Sequence, residues 1–185
     1  MKTILRSSPI FLLLAAALGA VAEAPRVARP LVRSVEKSLD ERISRIWPDN
    51  PGALAGEARG VYLEGYGAVF TTEINTASEG ITLMHTSLTQ QEKDHVHHLK
   101  IDRVPQLKKT LEEALVDSAA SLDTVPLDEQ IVLEVVLDRY TWEAAGGYPA
   151  EILLQATRRK LLEIKQAVKQ AKGADMDLAI RVIEH

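Results

Sequence analysis

The residues best suited to chemistry in this 185-residue chain are the imidazoles of Asp94-His95-Val96-His97-His98, three of only five histidines present. On a helix, Asp94 and His98 share a face at i, i+4, and His95 and His98 share one at i, i+3. Neutral imidazole suits Zn, Cu or Ni, so this turn is a candidate metal site built from His95, His97, His98 and Asp94. The spacing is not His-Glu-x-x-His, so no intervening base is supplied and a distant further ligand is required. The competing reading is a solvated polar face at the start of a long helix, with no cofactor bound.

A second set of residues points to binding. Glu129 to Trp142 alternates: Ile131, Leu133, Val135 and Leu137 point one way, and Glu134, Asp138, Tyr140 and Trp142, with Val132 and Val136, point the other. Aromatics beside carboxylates on an open sheet can stack sugars or peptides or meet a partner protein. Tyr62, Glu64 and Tyr66 join that face if the glycines near them keep strand parity, and a last strand adds Asp177, Arg181 and His185. The competing reading covers this face with the N-terminal helix. Carboxylate-pair catalysis fits poorly. Glu134 and Asp138 lie roughly 13 Å apart on a strand, wider than a glycosidase pair, and a pair of Asp138 with Glu151 requires Glu151 to face the same way. Gly65-Tyr66-Gly67 lacks the third glycine and the Lys-Ser/Thr of a nucleotide site and reads as a bulge or tight bend. Arg158-Arg159-Lys160 is a basic triplet at a helix start, either a contact for an anionic partner or a solvated helix end. No Gly-x-Ser-x-Gly elbow is present.

The elements that must carry these residues follow from periodicity. Leu31 to Ile46 places Val32, Val35, Leu39, Ile43 and Ile46 on one helical stripe, which Trp47-Pro48 ends. Pro48 to Gly60 reads as loop and Gly60 to Ile74 as a strand broken at Gly65 and Gly67. Asn75 to Thr86 is a polar loop. Thr89 to Leu122 is helical, with Leu107, Leu111, Ala114, Leu115, Ser118 and Leu122 as its stripe; Pro105 should kink or split it. Glu129–Trp142 and Ala150–Ala156 form a hairpin across a seven-residue turn; a helix from Pro149 is the alternative for the second segment. Thr157 caps a helix from Arg158 to about Lys172, striped by Leu161, Ile164 and Val168 and closed by Gly173. Asp177 to Glu184 is a final strand. An N-terminal amphipathic helix followed by β-α-β-β-α-β predicts an α+β, ferredoxin-like fold with a four-stranded antiparallel sheet.

Composition and the N-terminus place the molecule. Lys2 and Arg6 precede an unbroken apolar run, Ile10 to Leu18, and Ala20-Val21-Ala22 supplies small residues before Glu23. This is the grammar of a secretory signal cleaved between Ala22 and Glu23. The run is shorter than the roughly 20 residues of a membrane span, so no stable span is expected after cleavage. The expected organisation is a signal peptide at 1–22, a linker at 23–30, the N-terminal helix and loop at 31–59 and an α+β domain at 60–185. Losing two basic residues takes the formal charge from −4 to −6. That balance excludes a basic nucleic-acid footprint. With no cysteine there are no disulfides, thiolate metal sites or Cys nucleophiles.

Tyr62-Leu63-Glu64-Gly65-Tyr66-Gly67-Ala68-Val69-Phe70 and Leu137-Asp138-Arg139-Tyr140-Thr141-Trp142 resemble segments of uncharacterised bacterial exported proteins. The resemblance spans about Gly60 to Ala156. It implies export to the periplasm or cell exterior and an intact domain, and it carries no activity or catalytic residue. The expectation is an exported, non-catalytic interaction or assembly module. It would bind a protein or envelope component through its sheet face or the Gly65–Gly67 edge. The alternative is a metal-binding protein or metal-dependent enzyme that holds a divalent ion such as Zn on the histidine cluster.

Overall fold

A computed structural model describes residues 27–49, 52–77, 88–143, 146–170 and 180–185. The signal and its cleavage site at Ala22 and Glu23 lie outside them, as do His85, Asp177, the Gly173 stop and most of the 75–86 loop. The described residues form an α+β fold, with three helices on a mixed sheet.

Helix α1 runs Arg29–Ser44 and buries Val32, Val35, Leu39 and Ile43, the predicted stripe. It starts two residues earlier than its apolar pattern because Pro30, expected in a linker, fits the first turn, where its missing N–H costs nothing. The loop that follows contains strand β1, Ala53–Leu54.

The β-like stretch from Gly60 is two strands, not one. β2 (Arg59–Leu63) and β3 (Gly67–Asn75) form an antiparallel hairpin. The Tyr66 N–H donates to the Leu63 carbonyl at 3.0 Å, and Gly65 and Gly67 take φ of +77° and +136°. Left-handed backbone is what turns the chain here, so the two glycines make a corner, not a bulge.

Helix α2, Gln90–Ser121, is one continuous element through Pro105, so the expected split does not occur. Pro105 is exposed, so the Ile101 carbonyl that it leaves without a helical donor lies on the side of the helix where solvent can take that place. Thr89 caps the helix in a capping box: its side chain accepts from the Glu92 N–H, and the Glu92 carboxylate accepts from the Thr89 N–H at 2.7 Å. Thr89→Ala is expected to cost about 1 kcal/mol, read as a lower urea midpoint with an unchanged m-value.

β4 (Gln130–Leu137) and β5 (Glu151–Thr157) form the expected hairpin, in register from Gln130↔Thr157 to Val136↔Glu151. Thr157 then caps α3, Arg158–Lys169, accepting from the Lys160 N–H. Leu161 and Ile164 are buried while Val168, expected in the same stripe, is exposed. β6, Arg181–Glu184, pairs with β5.

The strand order is β1-β3-β4-β5-β6, with β2 beside β1 on the same edge of β3. β3 and β4 are direct parallel neighbours, joined through α2, and every other pairing is antiparallel. The antiparallel, four-stranded ferredoxin-like sheet is therefore corrected. In that topology the strands flanking the first helix are separated by another strand, whereas here they touch from Gly67↔Gln130 to Ile74↔Leu137. Alternation tells which side chains share a face and is silent on which strand lies next door.

Register assigns the two faces. Tyr62, Ala68, Phe70, Ile74, Ile131, Leu133, Val135, Leu137, Ile152, Leu154, Ala156 and Val182 share one, and all three helices pack against it in a single core. No described helix lies on the other.

Candidate functional site

The first half of α2 has few apolar residues, and cations hold it to the body. Lys93, His97 and Lys100 follow one helical face at spacings of four and three, with Arg103 one turn on. Opposite them the chain leaves β4, and residues 138–148 supply Tyr140, Trp142, Glu143 and Tyr148. Lys100 has no exposed side-chain surface. Its Nζ donates to Glu143 Oε2 at 2.8 Å and to the Asp138 carbonyl at 3.0 Å, and it lies 4.3 Å from the Tyr140 ring centroid and 5.4 Å from that of Tyr148. Trp142 stacks on Tyr140, with centroids 5.0 Å apart, and Lys93 approaches Trp142 at 5.7 Å. Arg103 lies 4.7 Å over Trp47 and donates to the Thr76 carbonyl. Four cation–aromatic contacts on one half-helix far exceed the usual frequency of about one per 70–80 residues.

His97 belongs to this network. Nδ1 lies 3.2 Å from Glu143 Oε1, and Nε2 lies 3.0 Å from the Gly146 carbonyl. Burial pushes the Glu143 carboxyl up. Hydrogen bonds from Lys100, His97 and the Tyr140 N–H, with the Lys100 charge, outweigh it and hold the group below its ordinary 4.5. Burial, together with the Glu143 and Asp138 charges, pushes the Tyr148 hydroxyl up to about 12 against the opposing Thr76 bond, so it stays a neutral phenol 3.0 Å from Thr76 Oγ1. Lys100 and Glu143 are enclosed and reach no substrate. The arrangement clamps a loop to a helix.

This placement changes the roles read from sequence. His97 spends both ring nitrogens on the clamp, while His95 and His98 are exposed and Asp94 accepts from Gln90 at 2.8 Å. Among the described residues no group of three or more His, Asp or Glu is placed to hold a metal ion. Tyr140 and Trp142 are not on the sheet, because β4 ends at Leu137, and their ring faces meet each other and lysines. Asp138, just past β4, accepts from Asn75 at 3.4 Å. Tyr62 falls on the helix-covered face, where its hydroxyl donates to Glu129 at 3.2 Å. Burial and Glu129 push that hydroxyl up to about 12. Tyr66 is exposed at the hairpin turn. Glu151 does share a face with Glu134, but it lies 3.8 Å from His185 and is not paired with Asp138. In the basic triplet, Arg158 turns inward and donates to the Ala119 and Val125 carbonyls at 3.0 Å each; Arg159 and Lys160 are exposed.

Of the residues predicted for the open face, Glu134, Val132, Val136 and Arg181 lie on the face free of described helices. The face carries further apolar residues: Val61 and Val69 lie in one cross-strand row with Val132, Leu153 and Ile183 lie in the next, and Leu63 lies beyond, with the predicted Val136 on the far side. Val61, Leu63 and Val136 are 49%, 47% and 40% exposed. Apolar residues at both parities of β2 and β4 were the available signal. Arg59, Glu73, Glu134, Glu151 and Arg181 interleave with and surround the patch. No family model matches this chain, and no curated protein or solved structure is similar to it.

Proposed function

We propose that this protein is an exported, non-catalytic interaction module whose partner docks on the sheet face opposite the helices. The observation that carries this is the set Val61, Leu63, Val69, Val136, Leu153 and Ile183. It spans five strands as two half-exposed or exposed groups, Val61, Leu63 and Val69 on one side and Val136, Leu153 and Ile183 on the other, joined through the buried Val132 and charged at the margins. Contiguous apolar surface on a protein with an adequate core elsewhere marks contact with another molecule. The signal-like residues 2–22 and the resemblance to exported proteins support action outside the cytoplasm, on a protein or envelope component; intact-mass analysis of the cellular protein should then give a chain beginning at Glu23.

A photo-crosslinking amino acid placed at Leu63 or Val136 should yield one discrete adduct in the native host, and the same group at Lys37 on α1 should not. Equal labelling from both sides, or none from the sheet, overturns the reading. Val61→Thr with Leu63→Thr keeps strand-favouring residues. It is expected to change stability by no more than about 1 kcal/mol while removing the adduct from Val136.

A further inference from the structure

We propose that the groove between α2 and β6 takes an extended, acidic peptide segment that adds to β6 as a further strand.

The two edges of the sheet are treated differently. At β2, α1 occupies the outward backbone groups of Gly60, whose N–H donates to Glu36 at 2.7 Å and whose carbonyl accepts from Arg29 at 2.6 Å, and just before the strand the Ala58 N–H donates to Asp40 at 3.0 Å. This side-chain screen blocks strand addition there. At β6 no described residue plays that part. Glu151 and His185 exchange both backbone hydrogen bonds, so alternation turns the backbone groups of Arg181 and Ile183 toward β5 and those of Val182 and Glu184 outward. Among the described residues, no backbone hydrogen bond reaches Val182 or Glu184 from the outer side.

Beside this edge lies a groove of about 830 Å³, floored by Ile101, Val104, Ile180 and Val182, a volume in the range of ligand-binding clefts. Outward donors and acceptors at strand spacing recognise an extended backbone, and the floor takes every second side chain. Lys108 and Lys109 border the groove. Lys108 is held by Glu184, whereas Lys109 is exposed and, among the described residues, makes no ion pair. Lys109 therefore selects a carboxylate. This surface is distinct from the apolar sheet face, and failure of either leaves the other standing.

The test uses the full chain and a fluorescein-labelled Thr-Val-Thr-Val-Thr-Glu-Thr peptide, whose glutamate shares the groove-facing parity of its valines, followed by anisotropy. Binding should slow amide exchange at Val182 and Glu184 and leave Ile183 unchanged. Proline in place of the central valine, or Lys109→Glu, should weaken binding by about tenfold or more, and a Glu-to-Lys peptide should recover the loss on Lys109→Glu. The proposal is overturned if no peptide binds up to about 1 mM, if the proline peptide binds as well as its parent, or if protection appears at β2 instead.

Discussion

Lys100→Met is expected to destabilise the protein by about 3–5 kcal/mol, because it leaves a buried carboxylate without its cation. Methionine approximates the length and volume of the lysine stem, so packing changes little and the loss reports on the charge. Glu143 remains fully enclosed, with His97 and the Tyr140 N–H as its remaining donors among the described residues, and the Asp138 carbonyl loses the Lys100 hydrogen bond. Adding Glu143→Gln should cost much less than the sum of the two single changes, since neither charge is then stranded. The pH dependence has a definite sign. The folded-state Glu143 carboxyl lies below 4.5, so the stability it contributes is complete above the ordinary carboxylate range and disappears as pH falls through the lowered value. Without Lys100 burial dominates and raises the group, so acidification favours the folded variant until the unfolded-state value is passed. The gap between wild type and Lys100→Met should therefore narrow between pH 7 and 4. Urea midpoints across that range decide it: a difference under about 1 kcal/mol at pH 7, invariant with pH, would show that the pair does not hold the loop.

Gly67→Ala is the second large effect. Gly67 opens β3 between two neighbours, Leu63 and Gln130. Its φ is +136°, and a Cβ there would sit 1.8 Å from the Gln130 carbonyl oxygen and 2.7 Å from its backbone nitrogen. Backbone cannot rotate aside as a side chain can. The expected cost is roughly 1–3 kcal/mol for the strained conformation and about 1–3 more for forcing β3 from β4. Gly65, two residues back in the turn, provides the control. Its φ is +77° but nothing lies within 4 Å of a Cβ, so Gly65→Ala should cost only about 1–2 kcal/mol. Equal midpoints for the two variants would mean that the close approach of β3 to β4 is not what requires glycine at 67.

The clamp explains a pairing that looked like two unrelated features. The histidine-rich turn suggested ligands and the Tyr140–Trp142 segment suggested an open face. The structure places them against each other. A half-helix with little beyond Val96, Val104 and Leu107 to bury gains its adhesion from cations over aromatic rings and from one enclosed ion pair. Residue type was informative about contact and misleading about what was contacted.

What the sequence by itself determined are the properties written into nearest neighbours along the chain. The stripes of α1 and the second half of α2, the Thr89 and Thr157 caps, the alternation of β4 and β5 and the hairpin between them all come from spacings of two, three and four residues, which impose a face whatever packs on it. Only the tertiary structure decided the partners. That β3 lies parallel beside β4, that Lys100 of α2 closes on Glu143, and that Val61, Val132 and Ile183 share the face on which no described helix lies all depend on contacts between residues 38 or more positions apart or on register across several strands. Among the described residues, the cost of burying Lys100 is offset by Asp138, Tyr140, Glu143 and Tyr148, and no local pattern records that meeting.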